Sequence, residues 1–271
     1  MVRSLWTAAS GMIAQQNNVD TIANNLANVN TNGYKTEVAE FKSLLYQDIN
    51  AKSTSANSEQ KPIPSQVGLG VRNSAITSIF TQGAFFDSTN DLAFAINGDG
   101  FFGVKGQDGN TYYTRNGNFV LATDTNGLAL TTTDGLKVLD ADGNPIVLDK
   151  NYVASQITVT GDGQICYPDE ANNPQPIGIE IGLWQFNNPS GLEKTDSSLY
   201  SESAASGAAM NEYTNNNLVR SDLRQGYLEG SNVQVADEMV NMIVAQRAYE
   251  LNSKAIQASD EMMQQANNLR R

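Results

Sequence analysis

Residues 1–34 carry only two charged side chains, Arg3 and Asp20, and fill their other polar positions largely with amides: Gln15, Gln16, Asn17, Asn18, Asn24, Asn25, Asn28, Asn30 and Asn32. A helix facing water normally sets Lys and Glu on its outer face, where they stay hydrated and form spaced pairs. A helix surrounded by other helices needs no such face, so neutral amides and alanines suit it. Within this segment Leu5, Ala9, Met12, Val19, Ala23 and Leu26 follow a 3-4 spacing, and Trp6, Ile13, Ile22 and Val29 widen the apolar stripe. The spacing predicts an amphipathic helix of about 25 residues, roughly 37 Å long. Ser4 is the expected N-cap. Asn30-Thr31-Asn32-Gly33 is the expected stop, because Asn and Gly tolerate the left-handed conformation that ends helices.

The other end repeats the pattern. Val235, Met239, Met242, Tyr249, Ile256 and Met263 form one stripe; Val244, Ala248, Leu251, Ala255, Ala258, Met262 and Leu269 form a second. Two stripes imply neighbours on more than one side. A helix from about Asn232 to Asn268 is expected, on the order of 55 Å long, with Asp237 and Glu238 in its first turns and Arg270 and Arg271 at its end complementing the helix dipole.

Between the two ends the period changes. Eight Asn-Gly or Asp-Gly pairs lie between Asn97 and Gly163: at 97–98, 99–100, 108–109, 116–117, 126–127, 134–135, 142–143 and 162–163. Such pairs favour tight hairpin turns, since both residues accept positive φ. Strand-like runs at Phe94–Ile96, Phe101–Val104, Tyr112–Thr114, Phe119–Ala122, Ile146–Leu148, Ile157–Val159 and Ile177–Phe186 alternate with them or follow them. The expected fold class is therefore α+β: long terminal helices packed as a coiled-coil-like pair, with a central antiparallel β domain built as a barrel or irregular sandwich. The expected boundaries are 1–35 for the first helix and turn, 36–91 for a linker, 92–190 for the β domain, 191–231 for a connector and 232–271 for the last helix. Gln47 to Gln66 and Ser197 to Asn217 read as connectors, being rich in small and polar residues.

Composition removes several functions. The chain of 271 residues has a net charge of −12 and no histidine. Residues 51–218 hold 8 Lys+Arg against 18 Asp+Glu, which makes the middle the water-facing part and argues against nucleic acid or an anionic membrane as partner. Without histidine, His-dependent triads and zinc hydrolases are excluded. The one cysteine, Cys166, has no partner for a disulfide or a zinc site and reads as a buried bystander. Asp140-Ala141-Asp142-Gly143-Asn144 and Asp124-Thr125-Asn126-Gly127 lack the ligand positions and distal Glu of a calcium loop and read as turns. Asn97-Gly98-Asp99-Gly100-Phe101-Phe102 precedes a strand, not the helix N-terminus that would hold phosphate. No catalytic residue, cofactor, metal or small-molecule substrate is expected. No run of eighteen apolar residues spans a bilayer, and Gln15 to Asp20 interrupts the apolar run that a secretory signal needs.

Two strings carry a resemblance. Ala23-Asn24-Asn25-Leu26-Ala27-Asn28-Val29-Asn30-Thr31-Asn32-Gly33-Tyr34-Lys35 is similar to the signature of the bacterial flagellar axial family, which includes rod and hook proteins. The opening, Ser4 to Met12 with Gln15-Gln16, most resembles its distal-rod members. At the other end, Gln225-Gly226-Tyr227-Leu228-Glu229-Gly230-Ser231-Asn232-Val233, Glu238 to Ile243 and Gln246 to Glu250 resemble the family's carboxy-terminal motif. Tyr113 to Phe119 and Asn97 to Phe102 resemble its β domain, and 46–70 the distal-rod insertion.

The resemblance implies a structural subunit of the basal-body distal rod, exported unfolded without a cleaved signal and polymerised outside the inner membrane into a hollow helical drive shaft. It implies as partners further copies of the chain, proximal rod proteins, the hook protein, the export apparatus and, where an outer membrane exists, bushing rings. The expected self-assembly residues are Leu5, Trp6, Met12, Val19, Ile22, Leu26, Val29, Val235, Met239, Met242, Ile243, Tyr249, Leu251, Ile256 and Met263. The family-motif residues are Ala23, Asn24, Asn25, Leu26, Ala27, Asn28, Thr31, Gly33, Tyr34 and Lys35. A hook or proximal-rod member is the nearest alternative reading. A secreted protein whose β domain binds a surface is a more distant one.

Overall fold

The computed structural model describes residues 2–50, 65–124, 127–169, 173–195, 198–215 and 217–269. Most of the 47–66 connector, Asn126 of one turn pair, and Arg270 and Arg271 lie outside the described residues. The chain forms two compact units. One comprises Met1–Ala27, Glu37–Thr77 and Gln234–Arg271; the other comprises Asn28–Thr36 and Ser78–Val233.

The first unit holds both long helices, α1 (Val2–Ala27) and α2 (Val235–Asn268). Ser4 is not the N-cap expected from sequence. The helix begins at Val2, and Ser4 Oγ lies 3.3 Å from Ser259 Oγ on α2. Two further contacts keep the same antiparallel register. A Cβ on Gly11 would stand 2.9 Å from Asn252 Nδ2, and Asn25 Nδ2 donates to Glu238 Oε2 at 3.3 Å. The contacting residues are spaced by multiples of seven on each helix: Ser4, Gly11, Asn25 on α1, and Glu238, Asn252, Ser259 on α2, with Ala245, 1% exposed, filling the gap in the α2 series. This seam is small and polar, which lets the helices approach closely and leaves much of their apolar surface on other faces.

The same unit contains two antiparallel strand pairs, Glu37–Ser43 with Val71–Ser78 and Tyr46–Asn50 with Ser65–Gly68. Asn25 fixes the start of the first by a reciprocal pair: its Nδ2 donates to Glu37 O at 2.8 Å, and its Oδ1 accepts from Glu37 N at 2.9 Å.

The second unit is antiparallel throughout its described strands. Its largest sheet runs Val147–Leu148, Leu128–Thr132, Lys137–Val138, Phe101–Lys105, Thr111–Thr114, Leu199–Ser201, Glu193–Lys194, with Phe119–Thr123, Leu183–Gln185 and Met210–Asn211 attached as branches. Its two ends do not pair, so it is not a closed barrel. A three-stranded sheet (Thr158–Val159, Gln164–Pro168, Pro174–Glu180) and two strand pairs, Phe94–Asn97 with Asp222–Gln225 and Phe85–Asp87 with Tyr227–Glu229, complete it. Phe94, Phe102, Phe119, Ile181 and Leu183 centre the core, and Cys166 is buried at its margin.

Four of the turn pairs share one construction. At 106–110, 132–136, 140–144 and 160–164 the glycine N–H donates to the carbonyl three residues back, and the residue before the turn donates to the carbonyl just after the glycine. In each, the glycine has φ between 81° and 85°. The Asp before it does not, Ser198 being the one described non-glycine residue at positive φ. These are type I turns closed by a left-handed glycine, not the doubly left-handed turns expected from sequence. Gly100 and Gly117 serve differently. A Cβ on Gly117 would lie 1.8 Å from Phe94 O, so that glycine admits a backbone rather than turning one.

Candidate functional site

The family-motif residues fall in two places. In the first unit, Asn25 joins the strand start at Glu37 to Glu238 of α2, Leu26 is half-buried, and Ala23, Asn24 and Ala27 are exposed. In the second unit, residues 28–36 dock on 226–233. Gly33 adopts φ 68°, and its N–H donates to Glu229 O at 2.8 Å. A Cβ there would stand 2.7 Å from the Arg115 carbonyl carbon, so both the conformation and the space demand glycine. Thr31 donates from its Oγ1 to Asn28 Oδ1, and Lys194 Nζ lies 5.6 Å from the centre of the Tyr34 ring.

At the centre of this docking is a buried ion cluster. Lys35 and Glu229 side chains are fully buried, with Nζ 2.6 Å from Oε1. Arg115 Nη1 reaches Glu229 Oε2 at 3.2 Å, and its Nη2 donates to Gly98 O at 2.8 Å. The guanidinium carbon lies 5.1 Å from the Phe101 ring centre. Lys35 also donates to Thr81 O at 2.8 Å, and Gly83 N–H donates to Glu229 Oε1 at 3.0 Å. Burial holds the Lys35 ammonium below its ordinary range; the nearby Arg115 charge lowers it further and Glu229 opposes the fall. Asn232 completes the dock. Its Oδ1 accepts from Thr36 N and Oγ1, both at 2.7 Å, and its Nδ2 donates to Ile79 O and Thr81 O. The charged ends of the cluster hold backbone segments together and present no reacting group to solvent, while Arg115 Nε is buried without a hydrogen-bond partner. Among the described residues there is no group of three or more His, Cys, Asp or Glu placed to hold a metal.

The expected self-assembly residues divide by exposure. Ile22 is buried against the seam; Leu5, Met12, Val19, Leu26, Val29, Met242, Ile256 and Met263 are half-buried. Trp6, Val235, Met239, Ile243, Tyr249 and Leu251 are exposed, Trp6 by 69% and Leu251 by 65%. The second α2 stripe stands in water with them: Val244 and Met262 are exposed, and Val240 extends it. The helix pair thus buries small or hydrogen-bonding residues along with Ala8, Ala14 and Ile22, half-buries eight of the expected residues and leaves six in water, more large apolar surface than a self-sufficient helical hairpin exposes. Periodicity alone missed Gly11, Glu238, Asn252 and Ser259, because it searches for apolar side chains. Their seven-residue recurrence was the available signal.

The sequence matches three family models: "Flagella basal body rod protein" over residues 5–35, "Flagellar hook protein FlgE/F/G D1 domain" over 95–167, and "Flagellar basal body rod FlgEFG protein C-terminal" over 224–269. It is 46% identical to the flagellar basal-body rod protein FlgG of Borreliella burgdorferi, covering 100% of both chains. It is 41% identical to the protein of that name in Buchnera aphidicola subsp. Acyrthosiphon pisum, over 99% of this chain and 100% of the other. The outer matches contain the two motif strings that meet at Lys35 and Glu229, and the middle one contains Arg115. On this evidence the chain belongs to the flagellar basal-body rod protein family.

Proposed function

We propose that the chain is a structural subunit of the flagellar basal body, and within it of the distal rod, where copies polymerise into a hollow helical shaft that transmits torque and conducts exported subunits. The observation that carries this reading is the apolar surface the helix pair leaves in water: Trp6, Ile13, Val235, Met239, Val240, Ile243, Val244, Leu251 and Met262 are exposed although small and hydrogen-bonding residues hold the seam between the helices. Such stripes need a partner, and open helical growth supplies one through heterologous contacts between copies. The seven-residue recurrence supports a coiled-coil-like pairing of α1 and α2. Relatives named as basal-body rod proteins along their full length support the rod assignment.

In this reading residues 1–35 and 232–271 are the axial parts, 92–190 forms the outer wall, and 36–91 and 191–231 link them, the latter also supplying strands to the second unit's sheets. The 46–70 insertion locks neighbouring copies against axial sliding. Proximal rod proteins and the hook protein flank the assembly, bushing rings surround it where an outer membrane exists, and subunits arrive through the flagellar export apparatus without a cleaved signal. The test is assembly itself: concentrated protein, followed by sedimentation and electron microscopy, forms tubes. A protein that remains a monomer at every concentration contradicts the reading and favours a self-contained binding module.

A further inference from the structure

Two features on the helix pair of the first unit have complementary chemistry. One is a knob. Trp6 is the most exposed large aromatic side chain among the described residues, and Ile13, seven positions on, is 62% exposed on the same line of α1. The other is a notch of about 400 Å³ lined by Gln16, Val19, Gln246, Tyr249 and Glu250. Val19 and the Tyr249 ring give it apolar surface, and Gln16, Gln246 and Glu250 bring amide and carboxylate oxygens, the combination that accepts an indole: a flat apolar body with one N–H that needs an acceptor when buried. The volume lies at the small end of the range that accommodates drug-sized ligands, roughly 300–1,000 Å³.

A chain cannot fill its own notch. Trp6 and Val19 lie on the same rigid helix, thirteen residues and therefore about 20 Å apart along its axis. We propose that Trp6 of one copy seats in the 16/19/246/249/250 notch of the next copy. The inference rests on the rod reading and deepens it by naming one of the contacts. Knob and notch are different patches displaced along one helix pair, so seating one leaves a free knob at one end of the chain of copies and a free notch at the other. Such a contact is heterologous and propagates. An aromatic anchor in a desolvated pocket is also the kind of residue that dominates interface energetics.

The test uses the full-length protein. The emission of Trp6, obtained as the difference between the parent protein and Trp6→Phe, shifts to the blue on assembly, while Trp184, already buried in the second unit, contributes equally to both. A benzoyl-phenylalanine photocrosslinker in place of Trp6 yields a ladder of covalent oligomers joined to residues 16–19 or 246–250, mapped by mass spectrometry. Trp6→Ala raises the concentration needed for assembly at least tenfold while leaving the monomer's helical circular dichroism unchanged. Assembled tubes with an unshifted Trp6 and crosslinks elsewhere overturn the seating but leave the rod reading standing. Crosslinked dimers with no higher species overturn the open-ended contact. A protein that never assembles overturns the rod reading, and the seating with it.

Discussion

Replacing Lys35 by methionine tests whether the two family motifs act as a structural clamp. The side chain is fully buried and makes a 2.6 Å ion pair with Glu229 and a 2.8 Å hydrogen bond to Thr81 O. Methionine keeps much of the length but removes the charge, leaving Glu229 with Arg115 at 3.2 Å and Gly83 N–H at 3.0 Å. Breaking a buried pair from one side costs about 3–5 kcal/mol. The retained partners put Lys35→Met near the lower end, at about 3 kcal/mol. Glu229→Gln removes the carboxylate that bridges two buried cations, so it belongs at the upper end, at about 5 kcal/mol. Urea unfolding of the monomer in a Trp6→Phe background, followed by Trp184 fluorescence, reads the same unit. With a slope of about 2 kcal/mol per M, Lys35→Met lowers the midpoint by about 1.5 M and Glu229→Gln by more. The double variant costs less than the sum, because the pair is then absent from both sides. A Lys35→Met loss under about 1 kcal/mol, or a Glu229→Gln loss no larger than that of Lys35→Met, refutes the clamp.

Three further expectations follow from single residues. Gly33→Ala, at φ 68° and with a Cβ 2.7 Å from the Arg115 backbone, destabilises the second unit by about 2–4 kcal/mol, whereas Gly109→Ala, at φ 82° with nothing within 4 Å, loses only about 1 kcal/mol of backbone preference in the same urea assay. Ile243→Asp, on an exposed α2 position, leaves the monomer's melting temperature within about 2 °C of the parent and abolishes sedimentable assemblies. Burial pushes the Tyr113 hydroxyl up to about 12 from 10.0; the folded state then keeps a proton that the unfolded chain sheds, so stability is intact below pH 10 and falls between pH 10 and 12. Tyr113→Phe flattens that fall in midpoints measured across this range, and an unchanged slope contradicts it.

Much of the second unit was legible because Asn-Gly and Asp-Gly pairs punctuate it. The runs at Phe94, Phe101, Tyr112 and Phe119 form strands within a residue or two of expectation. What punctuation does not encode is partnership. Leu199–Ser201 comes from a stretch whose Ser and Ala content reads as a connector, yet it pairs with Thr111–Thr114, buries Tyr200 and packs Leu199 against the main core; a three-residue strand leaves little compositional trace. Closure was equally hidden, since the unpaired ends of the large sheet depend on register. For the helices, apolar periodicity found both elements and the exposed stripes. It passed over the seam, because Gly11, Asn25, Asn252 and Ser259 are selected there for small size and hydrogen bonding. The motif strings pointed to Lys35 and Glu229 separately. Their meeting across the fold, with Arg115 between them and Phe101, is a tertiary fact with no local signal.

The central claim is that the apolar faces of α1 and α2 find their partners only in other copies. Hydrogen exchange compares the purified monomer with sedimented assemblies, read separately for residues 2–27, for 235–268 and for the strands between Phe85 and Glu229. The account predicts that the strands are protected in both states, and that the helices exchange rapidly in the monomer and slowly in the assembly. Helices as protected in the monomer as in the assembly would contradict it, since their burial would then be complete within one chain.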